Sequence, residues 1–208
     1  AALGGGSAPA PAPAAPEDGV EGCGGSAVEL SAELRERGCS KFRFLRAPPK
    51  YYDETYEWRA RLLKCRTEHL CKTIVMVNTK AGVDVTDCSN PLNSKYYCVL
   101  VQYRTPLDQG KLWRAVHSWN PGTPKGKFNF RLVPPEVSLE LTGFGHNAVS
   151  PVGMATKIPI ILSHRIKELP GDYCWLGGGE KDVKLRLSVS EFIAKYDPFV
   201  VDCTEELK

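Results

Sequence analysis

Two segments of the chain carry residues that could act on an ester or a phosphate. Lys72 precedes a β-branched run, residues 73–78, that predicts a buried strand. A Lys at the edge of a core strand can place its charge against a phosphate or a developing oxyanion. The loop 145–153 is rich in Gly and shaped by Pro151, so its main-chain amides could converge on a carbonyl oxygen. The alternatives are a surface Lys and an ordinary turn.

Other residues in and near this loop have open roles. His146 could donate to a substrate or shape a pocket for an amino acid, but a structural His bonded to main chain is an equal alternative. Ser150 could contact the substrate or cap the turn. Gly177–Gly179 permits close approach of main chain, and it leads into a predicted strand. That context excludes a dinucleotide-binding fingerprint, which requires a following helix.

Composition excludes several classes of protein. The 208 residues are 42% hydrophobic, which is enough for a substantial core. No apolar run approaches the roughly 18 residues of a membrane span. A collagen-like or wholly disordered chain is excluded as well. The chain does not begin with Met, so we expect a processed form or a fragment whose targeting signal is not seen.

The basic residues suggest an anionic partner such as RNA. All 27 Lys and Arg lie from Arg35 onward, whereas five of the 24 acidic residues precede it. The rest of the chain is therefore more basic than the net charge of +3 indicates, although on charge alone a solvated surface with excess Lys and Arg is the favoured explanation. The candidate phosphate contacts are Arg59, Arg61, Lys64, Arg66, Lys125 and Lys127.

The eight Cys do not form a metal-binding pattern. No pair has Cys-x-x-Cys spacing, and no Cys and His group has finger spacing, so we predict no metal site. Several Cys lie in apolar, strand-like runs, which indicates reduced thiols and an intracellular protein. An alternative is a thiol-redox protein in which Cys65 or Cys71, near Lys72, is a reactive thiolate.

The pattern of elements predicts an α+β (mixed α/β) fold. Residues 1–25 are rich in Ala, Pro and Gly and are expected to be a flexible tail, and residues 26–208 a single domain. We predict helices at 27–37, 53–64, 108–119, 135–143 and 188–196. We predict strands at 41–46, 73–78, 96–103, 128–132, 158–162, 173–176, 183–187 and 199–202.

Four motifs in this order resemble the YbaK / prolyl-tRNA-synthetase-associated domain family of aminoacyl-tRNA editing deacylases. They are Lys72-Thr73 at the start of a core strand, 135–143 ending in Leu-Thr-Gly, the loop 147–153, and Gly177–Gly179 leading into 184–187. The family loop usually has Gly where this chain has Asn147, and Asn tolerates left-handed backbone well. The resemblance implies a mixed sheet curled around a pocket, with flanking helices.

The resemblance also implies a function. The implied activity is that of a trans-editing hydrolase, which removes a small wrong amino acid, such as Cys or Ala, from tRNA for proline. The implied chemistry is metal-free ester hydrolysis assisted by a ribose hydroxyl of the substrate, with no cofactor. The implied partners are the acceptor end of mischarged tRNA and a synthetase or larger complex, with no membrane. The implied compartment is the cytoplasm, with an organelle as the alternative.

The same resemblance assigns roles to individual residues. The implied catalytic residues are Lys72, Asn147, Ala148 and Ser150. The implied substrate-binding residues are Thr73, Gly145, His146, Val149, Pro151, Gly153, Gly177, Gly178 and Gly179. Alanine, cysteine, serine and threonine all remain possible as the amino acid removed.

A second function from another class is open. A binding subunit of a synthetase or other ribonucleoprotein complex could keep this fold and lose the activity. Asn147 and the acidic, Pro-rich first 25 residues motivate this alternative.

Overall fold

The computed structural model describes residues 23–206, which form eight strands in two sheets and six α-helices. The strands are β1 (Phe42–Arg46), β2 (Cys71–Asn78), β3 (Tyr96–Gln102), β4 (Phe130–Leu132), β5 (Ile160–Ser163), β6 (Tyr173–Gly177), β7 (Val183–Ser188) and β8 (Phe199–Val201). The helices are α1 (Ser26–Glu36), α2 (Tyr56–Leu62), α3 (Gln109–Ser118), α4 (Pro135–Thr142), α5 (His164–Lys167) and α6 (Val189–Tyr196). The predicted α+β class is confirmed.

The mixed sheet of the predicted fold is accompanied by a second, smaller sheet. The larger sheet has the order β4-β2-β3-β5-β8, with antiparallel pairs on either side of β2 and parallel pairs on either side of β5. The smaller sheet is antiparallel, in the order β1-β7-β6. One isolated parallel bridge, between Leu70 and Trp175, links the two sheets. Strand β6 lies near β2 but forms a β-bridge to this part of the chain only at Leu70, and its strand partner is β7 in the smaller sheet.

Strand β2 has a gap along one edge. Its first edge pairs with β3 over Cys71–Val77, but on the second edge β4 pairs only with Met76–Asn78. Leu70 takes the bridge to Trp175 on this second edge. The stretch between, Cys71–Val75, therefore has no strand partner on that side, although the Val75 carbonyl accepts from the Val133 amide just after β4, at 3.1 Å. An unpaired edge leaves main-chain polar groups open to other partners.

The serines at the starts of α6 and α1 form different hydrogen bonds. Ser188 caps α6 by accepting a hydrogen bond from the Glu191 amide at 3.2 Å, as its sequence pattern predicts. Ser26 instead donates to the Gly178 carbonyl at 3.0 Å, which ties α1 to the glycine turn. The four-residue helix α5 was not predicted, because one turn is too short to show a helical period.

Part of the expected flexible tail, residues 1–22, lies outside the described residues, as do residues 207 and 208. No helix between residues 23 and 206 is long and apolar enough to cross a bilayer.

Candidate active site

A cavity of about 320 Å³ opens at the unpaired edge of β2. Its other walls come from the end of β4, the start of α4, the loop after α4 and the end of β6. The lining residues are Tyr52, Cys71, Lys72, Thr73, Ile74, Val75, Tyr103, Leu132, Val133, Pro135, Ser138, His146, Asn147, Val149 and Gly177. Six of the residues predicted from the sequence thus lie together here: Lys72, Thr73, His146, Asn147, Val149 and Gly177.

Lys72 brings a positive charge to the cavity. Its side chain is half-buried, and Nζ lies 5.7 Å from the centre of the Tyr103 ring. Within residues 23–206 no carboxylate pairs with this ammonium group. A cation that is partly withdrawn from water and not neutralised by the protein can bind an anionic group of a ligand.

The loop that faces Lys72 begins where α4 ends. Gly143 ends the helix in a left-handed conformation with φ of 77°, and the Ala148 amide then donates to the Gly145 carbonyl at 3.0 Å. Asn147 also has positive φ, 64°, which Asn accepts more readily than most residues. Asn147 therefore forms a left-handed turn at the position where the family usually has Gly.

The glycine turn holds this loop by close main-chain contact. A β-carbon on Gly177 would lie 2.5 Å from the Val149 carbonyl oxygen, too close for any other residue without a shift of the loop. The Gly179 amide donates to the Ala148 carbonyl at 3.0 Å. Gly178 lies behind this contact and its amide donates to the Val183 carbonyl at 3.0 Å, so it does not line the cavity.

Several loop residues support the cavity without lining it. Ser150 is fully buried and its Oγ accepts from the Val152 amide at 3.1 Å, so it caps a turn and is withdrawn as a catalytic residue. The Ala148 amide is already bonded to Gly145, so it is withdrawn as a donor to substrate. Pro151 is buried, and Gly153 packs against Leu30.

Several amides of the loop remain available, and those on the cavity lining belong to His146, Asn147 and Val149. In the part of the chain that the structure describes, the main-chain N–H groups of Asn147 and Val149 have no hydrogen-bond acceptor. Both residues line the cavity. Free amides beside an unpaired ammonium form a site that favours negative charge.

Two residues that sequence reasoning missed tie the loop down from behind. The Tyr52 hydroxyl donates to the Asn147 carbonyl at 2.7 Å, and Lys184 Nζ donates to the Tyr52 oxygen at 2.8 Å. Lys184 is 3% exposed, and burial lowers its pKa to about 7. No sequence signal separates Lys184 from a surface Lys on a strand.

The predicted RNA contacts fall into three groups. Arg59 is buried, donates to the carbonyls of Tyr52 and Glu54, and lies within 5.8 Å of the centres of four Tyr rings, so it is withdrawn as an RNA contact. The residues Arg61, Lys64 and Arg66 are exposed just before β2. Lys125 and Lys127 are exposed near the far end of β2, where Lys127 O accepts from Asn78, about 20 Å along the strand from Lys72.

The cysteines do not support the reactive-thiolate alternative. All eight are free thiols. Burial raises the pKa of Cys65 to about 12, and burial also raises the pKa of Cys71, which lines the cavity. A reactive thiolate needs a lowered pKa, so neither thiol has the required environment.

Comparisons with known proteins agree with this geometry. The profile of the aminoacyl-tRNA editing domain matches residues 54–194. A crystal structure described as a candidate trans-editing enzyme for prolyl tRNA synthetase is 25% identical, with a TM-score of 0.67, over 87% of this chain and 98% of that one. A scaffold protein used for computational epitope grafting is 22% identical, with a TM-score of 0.66, over 88% of this chain and 98% of that one. The second likeness concerns the fold alone.

No curated protein matches the chain. The matched profile nevertheless spans more than half of the sequence and includes Lys72, the loop after α4 and the glycine turn. The chain belongs to the aminoacyl-tRNA editing domain family.

Proposed function

We propose that this protein is a trans-editing deacylase that hydrolyses the ester between a small wrong amino acid and tRNA for proline. Membership of the editing family supports a deacylase, and the similar structure described for prolyl tRNA synthetase supports that tRNA. The observation that carries the proposal is the unpaired ammonium of Lys72 on the same cavity as the free amides of Asn147 and Val149.

These groups have separate roles in the proposed reaction. The ester carbonyl lies against the amides of Asn147 and Val149, which stabilise the oxyanion as water adds to the carbon. Lys72 binds a phosphate of the terminal adenosine or the same developing charge. Within the described lining there is no Asp or Glu to act as a base. The family resemblance implies that a ribose hydroxyl of the substrate assists the water.

The size of the cavity supports a small amino acid. A volume of about 320 Å³ is at the lower end of the range for ligand pockets. The apolar walls from Val75, Leu132 and Val133 suit a short side chain better than a charged one. Cysteine and alanine are the first candidates, because one methylene gives a synthetase only about 1–3 kcal/mol of discrimination and leaves errors to remove.

The eight free thiols are in keeping with action in the cytoplasm, where thiols stay reduced. We propose that the protein works there beside prolyl-tRNA synthetase, on the acceptor end of tRNA.

The test is deacylation of tRNA for proline charged with Cys, Ala, Ser or Pro. We expect ester loss from at least one wrong amino acid and none from proline. Lys72→Ala should lower kcat/KM by about 100-fold or more, because it removes the site's only unpaired cation among the described lining residues. Lys167→Ala, an exposed Lys on α5, is the matched control and should behave as wild type. Absence of ester loss from every charged tRNA would favour the binding-subunit alternative.

A further inference from the structure

We propose that Tyr52 and Lys184 are positioning residues that hold the loop amides in place for the reaction. Lys184 lies outside the cavity lining, whereas Tyr52 lines the cavity and its hydroxyl proton is directed to the loop. The inference rests on the proposed function and adds to it a buried hydrogen-bonded chain behind the site.

The chain begins at a buried ammonium group. Lys184 Nζ donates to the Tyr52 oxygen at 2.8 Å and to the Lys181 carbonyl at 2.7 Å. It lies 4.4 Å and 4.9 Å from the ring centres of Tyr52 and Tyr51. No carboxylate within residues 23–206 forms an ion pair with it. Burial of a cation is costly in free energy. The two hydrogen bonds and two aromatic faces around Lys184 Nζ offset part of that cost.

The direction of the chain is fixed by the chemistry of its ends. The Asn147 carbonyl can only accept a hydrogen bond, whatever the charge on Lys184. The single proton of the Tyr52 hydroxyl must therefore point to Asn147. The Asn147 carbonyl thus has a fixed partner.

The fixed carbonyl constrains two successive peptide planes of the loop. In the Asn147–Ala148 peptide, the carbonyl accepts from Tyr52 and the amide donates to Gly145. In the Ala148–Val149 peptide, the carbonyl accepts from Gly179. Because a trans peptide points its N–H opposite to its C=O, the Val149 amide is directed away from the glycine turn. The bonds from Tyr52, Ala148 and Gly179 together preorganise that amide.

The first experiment measures steady-state deacylation by Tyr52→Phe, which removes only the hydroxyl. We expect kcat to fall by about 10- to 100-fold with KM changed less than twofold, because substrate still binds but the amide is misplaced. Lys184→Met, which keeps the length of the side chain, should lower kcat less, because Tyr52 can still donate to Asn147. Tyr56→Phe is the matched control, since its hydroxyl has no hydrogen bond within the described residues.

The second experiment does not depend on activity. Amide hydrogen exchange of the free protein, followed by NMR, should show at least tenfold faster exchange at Ala148 and Gly179 in Tyr52→Phe but not in Tyr56→Phe. Unchanged exchange would overturn the inference. Faster exchange with an unchanged kcat would also overturn it, since the loop would then move without consequence for the reaction. If wild type cleaves no charged tRNA, the proposed function fails, and the catalytic role of Tyr52 fails with it even where exchange shows the tie.

Discussion

Gly177 and Val149 lie so close that a single added carbon would separate the two walls of the site. The distance from a β-carbon built on Gly177 to the Val149 carbonyl oxygen is 2.5 Å. The Ala148 carbonyl oxygen would lie 2.9 Å from the same carbon. The end of β6 and the loop after α4 can therefore make this close contact only because Gly177 has no side chain.

Gly177→Ala should disturb the site directly. The added methyl group must push the loop away from β6, which misplaces the Val149 amide and loosens the bond from Gly179. We expect kcat to fall by at least 10-fold and the free energy of unfolding to fall by about 1–3 kcal/mol. Gly126→Ala is the control, because its added carbon has no neighbour within 4 Å. Equal activity of the two variants would contradict the close-contact argument.

Asn147→Gly tests whether Asn at this position weakens the site. Since Asn147 has a φ of 64°, Gly should fit the same backbone, and we expect activity within about threefold of wild type. Asn147→Ala should instead cost about 1–2 kcal/mol of stability, because Ala is strained in the left-handed region. Denaturant unfolding and the deacylation assay measure the two effects. A large gain in activity with Gly would mean that Asn147 itself impairs the reaction.

Lys184 should make stability depend on pH. Burial lowers its pKa to about 7, whereas an unfolded Lys titrates near 10.4. Asp182 opposes this shift, and Arg59 and Lys181 add to it. Between these two values the unfolded chain binds more protons than the folded one, so stability rises with pH.

Urea unfolding at pH 7 and pH 9 measures this effect. The gain in free energy of unfolding over that interval should be larger in wild type than in Lys184→Met by on the order of 1–3 kcal/mol. The comparison with the variant isolates Lys184, because the Cys and Tyr residues, whose titration also affects stability, are the same in both proteins. An equal gain in the free energy of unfolding in both proteins would show that folding does not lower the pKa of Lys184.

The residues Arg61, Lys64 and Arg66 should contact RNA phosphates, since they are exposed and come shortly before Lys72 in the chain. Each change to Ala should raise KM a few-fold, leave kcat unchanged, and reduce the salt dependence of log KM by roughly 0.7–0.9 per lost contact. Arg59→Ala should instead lower Tm, because its guanidinium holds the carbonyls of Tyr52 and Glu54. If Arg59→Ala instead raises KM and leaves Tm unchanged, Arg59 contacts RNA.

Local pattern predicted most elements of the fold but not the division of the sheet. The run after Lys72 and the apolar residues of β3 identify strands, because period and residue type are local signals. The separation of the two sheets depends on where β4 and β6 meet β2. Those contacts join residues far apart in the chain, and no local pattern records them.

Motif resemblance predicted residues that line the site. It did not predict Tyr52 and Lys184, which hold the loop of the site. Lys72 and Asn147 were linked by their order along the chain, and the structure places both on one cavity. Tyr52 and Lys184 are 132 positions apart, and nothing in either segment marks the pair. Arg59 and Arg61 cannot be told apart in the sequence of α2. Arg59 is nevertheless buried among four Tyr rings, whereas Arg61 is exposed. Burial of a charged residue depends on tertiary packing.

The gap beside Cys71–Val75 has an evolutionary consequence. Main chain forms much of this wall, so point mutations leave its carbonyl acceptors in place and only a change to Pro removes an amide donor. Side chains such as Leu132 and Val133 merely set the room left for the acyl group. Descendants of this scaffold can thus change which amino acid they remove by altering bulk at these positions, without a change at Lys72 or in the loop that carries the Asn147 and Val149 amides.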